Sequence, residues 1–94
     1  MTKYLILATV EDDVQNVQEW TKTWGDLRGE VKELGSEILD AHAVLGEYDF
    51  QFTCEIPDEE TAIQVAIAIE RHGLDTRTHQ LIEADRLGEL VEDI

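Results

Sequence analysis

Two alternating segments, joined by a short link, constrain the fold of this chain more than any other feature. In residues 49–56, DFQFTCEI, every second side chain is apolar, which is the period of a strand with one buried face. The residues before the link also alternate, over 36–45, with Leu39, Ala41, Ala43 and Leu45 in one set and Ile38, Asp40, His42 and Val44 in the other. The link itself, Gly46-Glu47-Tyr48-Asp49, has a Gly and an Asp that suit a turn. The pattern predicts a β-hairpin.

The other elements follow from their apolar periodicity. Residues 3–10, KYLILATV, are a nearly continuous apolar run that is typical of a buried central strand. Helical periodicity or amphipathic patterns predict helices over 12–34, 59–72 and 84–93. Alternating side chains predict a last strand over 74–82. The order predicts one α+β domain over residues 1–94, of the ferredoxin-like βαββαβ plan. We expect a four-stranded antiparallel sheet with two helices on one face and a short C-terminal helix.

Local signals mark where these elements end and how they pack. Gly35 and Gly73 are natural helix stops, Pro57 ends the third strand, and Asp58 suits a helix N-cap. The mostly apolar second helix is expected to be well buried. In the first helix, the aromatic pair at positions 20 and 24 is expected to pack, either against the sheet or between subunits, rather than stack on a ligand.

The charge balance of the chain is strongly acidic. There are 22 Asp and Glu against 7 Lys and Arg, which gives a formal net charge of −15. Like charges at this density repel and destabilise a compact state unless salt screens them. We therefore favour a salt-adapted protein of the halophilic, archaeal kind, with an ordinary acidic protein as the alternative. The balance argues against nucleic-acid binding, which relies on Lys and Arg, but leaves basic protein partners or cationic ligands open.

Cysteine content and hydropathy bear on the environment of the chain. The single cysteine, Cys54, excludes an intrachain disulfide and shares the phase of Phe50 and Phe52, which indicates a core thiol. No signal-peptide pattern opens the sequence, and its longest apolar runs are far shorter than the 18 or so residues of a membrane span. We expect a cytoplasmic protein with no membrane partner.

The sequence resembles the GYD domain family. The resemblance rests on Leu45-Gly46-Glu47-Tyr48-Asp49, followed by the alternating strand and by Pro57-Asp58-Glu59-Glu60, and more weakly on Arg77-Thr78-His79-Gln80-Leu81. The element order extends it over nearly the whole chain. The residues before the motif, Ala41-His42-Ala43, depart from the bulky aromatic residues frequent in the family. The resemblance implies a dimeric α+β barrel but no particular activity.

Polar residues on the face that the helices leave open are the candidate ligand-binding residues. Asp40 can fix the tautomer of His42, which makes His42 a candidate catalytic base if a cavity covers this face, against the plainer reading of a surface or interface histidine. Tyr48 and Asp49 either fix the turn or point into a cavity mouth. The full candidate set is Asp40, His42, Tyr48, Asp49, Gln51, Thr53, Glu55, Arg77 and His79.

The remaining charged residues have structural explanations as well as functional ones. Arg77 is expected to pair internally, with Asp49 or Glu47, or to bind an anionic ligand group. His79 is expected on the edge opposite His42, so the two need not meet within one subunit but could meet across a dimer. His72, near a helix C-terminus, is expected to be a favourable partner of the helix dipole. No cofactor or metal is expected, because phosphate-loop, dinucleotide, nucleophile-elbow and paired-cysteine motifs are absent from the sequence. Metal ligands could come only from Asp40, His42, Glu55 and His79, if the sheet faces enclosed them.

Three functions follow from these observations. The first is a non-enzymatic homodimer, joined through the open sheet face, that binds a small ligand or a protein partner. The second is a cofactor-free enzyme of the dimeric-barrel type, with His42 as base and Tyr48 or Gln51 as polarising group. The third is a salt-dependent structural or regulatory protein that recognises a partner through its acidic surface.

Overall fold

The computed structural model describes residues 1–11 and 17–92 of the chain. The elements follow one another in the predicted order, and the part of the first helix predicted over residues 12–16 lies outside the described residues. Their bounds are β1 Thr2–Val10, α1 Val17–Glu33, β2 Glu37–Ala43, β3 Phe50–Ile56, α2 Glu59–Glu70, β4 Leu74–Gln80 and α3 Ala84–Glu92.

The four strands form one antiparallel sheet in the order β2-β3-β1-β4. The apolar strand β1 lies at the centre, where it pairs with β3 on one side and β4 on the other. The ferredoxin-like α+β architecture is therefore confirmed. The strand order also places β2 and β4 at opposite edges, as predicted.

The core lies between the sheet and the helices α1 and α2. Alternate side chains of β1 and β3 are buried on this side, and Phe52, Cys54 and Ile56 are fully buried there. Trp20 and Trp24 of α1 pack against Phe50, with ring centroids 4.9 and 5.1 Å away. The prediction that the tryptophans pack against the sheet is thus confirmed, and Cys54 is a core thiol.

Backbone signals in the sequence fix the ends of the elements. Gly35 and Gly73 follow α1 and α2 with φ of 72° and 86°, a region where a side chain would be strained. The Asp58 carboxylate accepts a hydrogen bond from the Thr61 amide at 2.8 Å, as an N-cap does. Hydrogen bonds from the Thr61 side chain and from its amide lower the pKa of Asp58.

A β-bulge in β2 corrects the predicted assignment of its faces. The register shifts between Ile38, which pairs with Cys54, and Asp40, which pairs with Thr53. Strict alternation placed Ile38 in the set of Asp40 and His42, but Ile38 is buried on the core side. The extra residue in a bulge reverses the phase of the strand, and sequence alternation does not reveal it.

The second and third helices are covered less than their apolar content suggests. The expectation that α2 is well buried was wrong, because Ala62, Val65 and Ile69 are buried whereas Ile63 and Ile67 are exposed. Helix α3 has no buried residue at all, although its apolar residues lie at helical spacing. Apolar periodicity shows which side of a helix is apolar, but not whether the same chain supplies the surface that covers it.

Candidate functional site

The sheet face that α1 and α2 leave uncovered carries most of the candidate residues. We call it the open sheet face. The register sets its side chains in rows across the strands. One row is His42, Gln51, Leu7 and Arg77, and the next is Asp40, Thr53, Leu5 and His79. At one end Glu55 lies between Glu37 and Lys3, and at the other Thr9 faces Asp75.

This arrangement brings seven of the nine predicted residues to one surface. Polar groups of β2, β3 and β4 surround two leucines of the central strand, Leu5 and Leu7, which are partly exposed. The face also carries two of the chain's seven Lys and Arg side chains, Lys3 and Arg77, and two of its three histidines, His42 and His79. Because Glu37, Asp40, Glu55 and Asp75 lie on the same face, the open sheet face carries charges of both signs.

The histidines of the open sheet face lie apart within one protomer. His42 on β2 and His79 on β4 are separated by three strand spacings, or about 14 Å. Both side chains are exposed, and in the described part of the chain no hydrogen bond joins His42 to Asp40. Neither of the two clefts that border this face is lined by His42. The role of His42 as a general base stays a prediction, and a protomer alone does not give it the enclosed pocket that it requires.

Potential metal ligands also remain dispersed. Among residues 1–11 and 17–92, no three His, Cys, Asp or Glu side chains come together in a group that could hold a metal ion. Asp40, His42, Glu55 and His79 occupy three different strands. They could share an ion only if a second molecule brought them together.

Asp49 has a structural role at the start of β3. Its carboxylate accepts a hydrogen bond from the Val10 amide at 2.8 Å, and its own amide donates to the Ala8 carbonyl at 2.9 Å. The Asp49 carbonyl also accepts a bond from the Val44 amide at 2.9 Å. Asp49 thus ties the hairpin link to the end of the central strand, and this side chain is used within the fold.

Tyr48 instead lines a small cleft at the same end of the sheet. The cleft has a volume of about 300 Å³ and is lined by Thr9, Glu47, Tyr48, Asp75 and Arg77. It therefore joins part of the Gly-Glu-Tyr-Asp link to the last strand, the two segments that carry the family resemblance. Thr9 and Asp75 were not among the predicted residues, although they continue the alternation of Leu5 and Leu7 and of Arg77 and His79.

Arg77 is the cation of this cleft, and the prediction that it pairs with Asp49 or Glu47 was wrong. Its Nη1 donates to the Asp75 carboxylate at 3.1 and 3.3 Å and to the Thr76 carbonyl at 3.1 Å, rather than pairing with Asp49 or Glu47. Asp49 is occupied by the Val10 amide. The Arg77 side chain is still 60% exposed, so that its guanidinium can reach a further acceptor.

A larger cleft borders the opposite end of the open sheet face. Its volume is about 580 Å³, and it lies between Lys3, Thr53 and Glu55 on the sheet and the segment from Gln80 to Ala84 together with Arg86. Sequence reasoning proposed only Thr53 and Glu55 here. The path of the chain after β4 brings residues 81–84 and Arg86 close to the sheet. The sequence carries no signal for that path.

Two further ionisable residues, His72 and Cys54, lie in contact with other parts of the fold. His72 does not act alone at the end of α2, because its Nε2 lies 3.1 Å from a carboxylate oxygen of Glu30 on α1. Burial raises the pKa of the Cys54 thiol to about 11, which keeps it protonated and unreactive at neutral pH. None of the described helices is long and apolar enough to cross a membrane.

Several solved structures are similar to this chain in fold, two of them as follows. The leucine response regulatory protein LrpA of Mycobacterium tuberculosis matches with a TM-score of 0.63 and 13% identity, over 88% of this chain and 51% of that one. The present chain therefore spans about half the length of that regulator. TTHA0845 from Thermus thermophilus matches with a TM-score of 0.58 and 20% identity, over 89% of this chain and 96% of that one. At these identities the similarity concerns the fold alone.

Comparison with family models agrees with the sequence resemblance, while no curated protein matches the chain. The model of the GYD domain matches residues 4–91, from the central strand to the C-terminal helix. This match covers the Gly-Glu-Tyr-Asp link, the cleft at Tyr48 and Arg77, and nearly the whole sheet. The chain belongs to the GYD domain family.

Proposed function

We propose that the protein is a homodimeric ligand-binding module, in which the open sheet faces of two copies pack together and a cleft at the end of each face binds a small anionic molecule. The observation that carries the proposal is the composition of this face. Partly exposed leucines at its centre are surrounded by polar groups of both signs.

The charge distribution supports self-association through this face rather than through another. A net charge of −15 makes two copies repel over most of their surfaces. On the open sheet face, Lys3 and Arg77 lie close to Glu55 and Asp75, so that opposite charges can face one another across a two-fold axis. Salt weakens the remaining repulsion, and we expect the dimer to be strongest at high ionic strength.

The cleft beside Tyr48 supports a ligand that carries a carboxylate or a similar anionic group. Arg77 presents a guanidinium whose planar set of donors matches a carboxylate. The Tyr48 hydroxyl and the Thr9 hydroxyl can add neutral hydrogen bonds at the same cleft. An anion would have to compete with Asp75 for Arg77, which predicts weak rather than tight binding.

The dimer is tested by sedimentation in about 2 M KCl, with the change Leu7→Lys. A lysine at the centre of the face would be buried without a partner in the dimer, so we expect this variant to sediment as a monomer. The matched control is Ile63→Lys, which places the same charge on an apolar residue of α2 that is 63% exposed. A monomeric wild-type protein at this salt concentration would refute the proposal.

The ligand class is tested by NMR titration with sodium acetate and sodium succinate at constant ionic strength. We expect amide shifts confined to the ends of β1 and β4 and to the link at Tyr48, and their loss in Arg77→Gln. Arg71→Gln, which removes an exposed arginine at the end of α2, should leave them unchanged. Shifts that persist in Arg77→Gln would contradict the assignment of the cleft.

A further inference from the structure

The outer edge of β4 is a row of backbone groups that has no neighbouring strand. The Leu81 amide donates to the Lys3 carbonyl, so the odd-numbered residues of this segment exchange hydrogen bonds with β1. In an antiparallel pair, the residues between them point their N–H and C=O groups away from the paired strand. The residues of β4 whose backbone groups point outward in this way are Leu74, Thr76, Thr78 and Gln80.

Side chains occupy both outward groups of Thr76, near the middle of this edge. One carboxylate oxygen of Glu70, at the end of α2, accepts hydrogen bonds from the Thr76 amide at 3.3 Å and from its hydroxyl at 3.1 Å. Nη1 of Arg77 donates to the Thr76 carbonyl at 3.1 Å. A carboxylate and a guanidinium therefore hold the positions that the backbone of a fifth strand would hold. We call these contacts the edge cap.

The rest of the outer edge of β4 lacks such contacts. Within residues 1–11 and 17–92, no hydrogen bond fills the outward groups of Thr78 or Gln80. The strand pairs with β1 from Leu74 to Gln80 without a register shift, and it contains neither Lys nor Pro. Bulges, lysines and prolines are features with which proteins commonly protect an edge strand. The edge cap supplies this protection at β4.

The opposite edge of the sheet, at β2, is protected in two ways. The register shift between Ile38 and Asp40 interrupts the row of outward groups. Nη1 of Arg28 on α1 also donates to the Ile38 carbonyl, at 3.4 Å. A side chain from the helix layer therefore reaches the edge strand on both sides of the sheet, although β4 has no bulge to assist it.

From these contacts we propose that Glu70 keeps the outer edge of β4 closed to the β4 strand of a second copy, with Arg77 as its counterpart at the carbonyl. Without Glu70, the Thr76 amide is free to donate to another strand, and two chains can join their sheets antiparallel along β4. The inference goes beyond the proposed function, because it concerns an edge of the sheet and not its open face. It holds whether or not the sheet-face dimer forms.

A second β4 suits this edge by its charges and by the phase of its side chains. A two-fold axis through Thr76 places Asp75 of each copy opposite Arg77 of the other, and opposite charges at facing positions stabilise an antiparallel pair. The same axis keeps the helix sides and the open sides of the two sheets in phase. Arg77 is 60% exposed, so its guanidinium can turn from its own strand to the facing carboxylate.

The cap is tested first in the wild-type protein, by hydrogen exchange of backbone amides in about 2 M KCl, where charge repulsion is screened. Thr76 and Thr78 both point outward, but of these two only the Thr76 amide has an acceptor among the described residues. After correction for sequence effects, we expect the Thr76 amide to exchange at least about tenfold more slowly than the Thr78 amide. Equal rates would overturn the inference, and this measurement needs no variant.

The second test compares three variants by sedimentation at rising protein concentration in the same salt. Glu70→Ala removes the cap and should raise the association constant at least about tenfold above that of the wild-type protein. Glu70→Gln keeps an acceptor oxygen, and Glu60→Ala truncates an exposed acid in the first turn of α2. Both should stay close to the wild-type constant. All three remove one negative charge from a total of −15, so weaker repulsion cannot account for a difference between them.

Hydrogen exchange in Glu70→Ala then locates the contact. The amides of Thr76 and Thr78 should exchange quickly at low protein concentration and slowly at high concentration, because strand pairing covers both. Association that leaves these two amides unprotected would overturn the inference. So would a Glu70→Ala variant that sediments like the wild-type protein at every concentration.

The size of the assembly separates this inference from the proposed function. A contact between two identical edges closes on itself as a pair. If sheet-face dimers exist, each carries two β4 edges, and Glu70→Ala should join them into longer chains. If the wild-type protein is a monomer, Glu70→Ala should stop at a dimer, which supports the edge cap and refutes the sheet-face dimer.

Discussion

The two faces of the sheet carry different kinds of side chain, although adjacent residues of the same strands build both. On the helix side, Phe50 and Phe52 meet Trp20 and Trp24, and within the described residues no charged side chain is buried among them. On the other side, Gln51 and Thr53 of the same strand belong to rows that end in charged or ionisable residues at the sheet edges.

This difference separates the residues that stabilise the fold from those available for binding. The aromatic side of β3 is filled by groups whose geometry is fixed by close packing. The side chains of the open side are exposed or only partly buried, so they contribute less to folding and can meet a second copy or a ligand. Each prediction below tests this separation, in order of decreasing effect.

The largest effect is expected from Phe52→Ala. Phe52 is fully buried and its ring lies 5.1 Å from that of Trp24, so that truncation should lower the free energy of unfolding by about 3–5 kcal/mol. The control is Gln51→Ala, one residue away on the open sheet face, which we expect to change it by less than about 0.5 kcal/mol. Urea unfolding in about 2 M KCl measures both. Similar losses in the two variants would remove the distinction between the faces.

A smaller effect is expected from alkaline pH, through the core thiol. Burial raises the pKa of Cys54 to about 11, so between pH 9 and 11 the unfolded chain releases this proton before the folded one. Stability should therefore fall as pH rises, by up to about 1.4 kcal/mol per unit. The effect is measured as the difference between wild-type protein and Cys54→Ala in urea unfolding at each pH. Parallel pH profiles would show that the thiol is not desolvated in the core.

Salt is expected to act on the charged exterior and not on the aromatic side. Between about 0.1 and 1 M KCl the screening length falls from about 10 to 3 Å. We expect the melting temperature to rise by at least about 5 °C, equivalent to about 1 kcal/mol for a chain of this size. The rise should be steepest below about 0.5 M, where screening changes most. An unchanged melting temperature up to about 2 M would refute the salt-adaptation hypothesis.

The smallest effect is expected from Asp49, which lies where the two faces meet. Asp49→Ala removes the 2.8 Å bond from the Val10 amide and should cost about 1 kcal/mol, because the site is exposed and water replaces part of the bond. Asp49→Asn keeps an acceptor and should cost less. Neither change should abolish acetate-induced shifts at Tyr48. Loss of those shifts in Asp49→Asn would instead assign this side chain to the binding cleft.

Most of the fold could be predicted because local signals agreed with one another. The alternation at Phe50 and Phe52, the stop at Pro57 with the cap at Asp58, and the glycines after both long helices each specify an element or its end. These signals depend on neighbours in the sequence. The strand order then followed from the split βαβ plan, which that succession of elements adopts.

The rest depends on contacts that the sequence does not encode locally. The bulge near Leu39 reversed the expected side of Ile38, and the bond between the Val10 amide and Asp49 left Arg77 to pair with Asp75. The cleft at Tyr48 combines residues from three distant segments. The exposure of α3 could not be foreseen either, because an apolar stripe looks the same in sequence whether its partner is intramolecular or not.

The central position of β1 has a consequence for how the chain reaches this structure during synthesis. Residues 2–10 leave the ribosome before their neighbours in the sheet, β3 and β4, which extend to residue 80. The apolar run KYLILATV therefore lacks its full set of strand partners until β4 has been made. Such distant pairings slow folding and leave an aggregation-prone segment exposed meanwhile. The dense negative charge of the chain makes incompletely folded copies repel one another, which opposes aggregation through this segment.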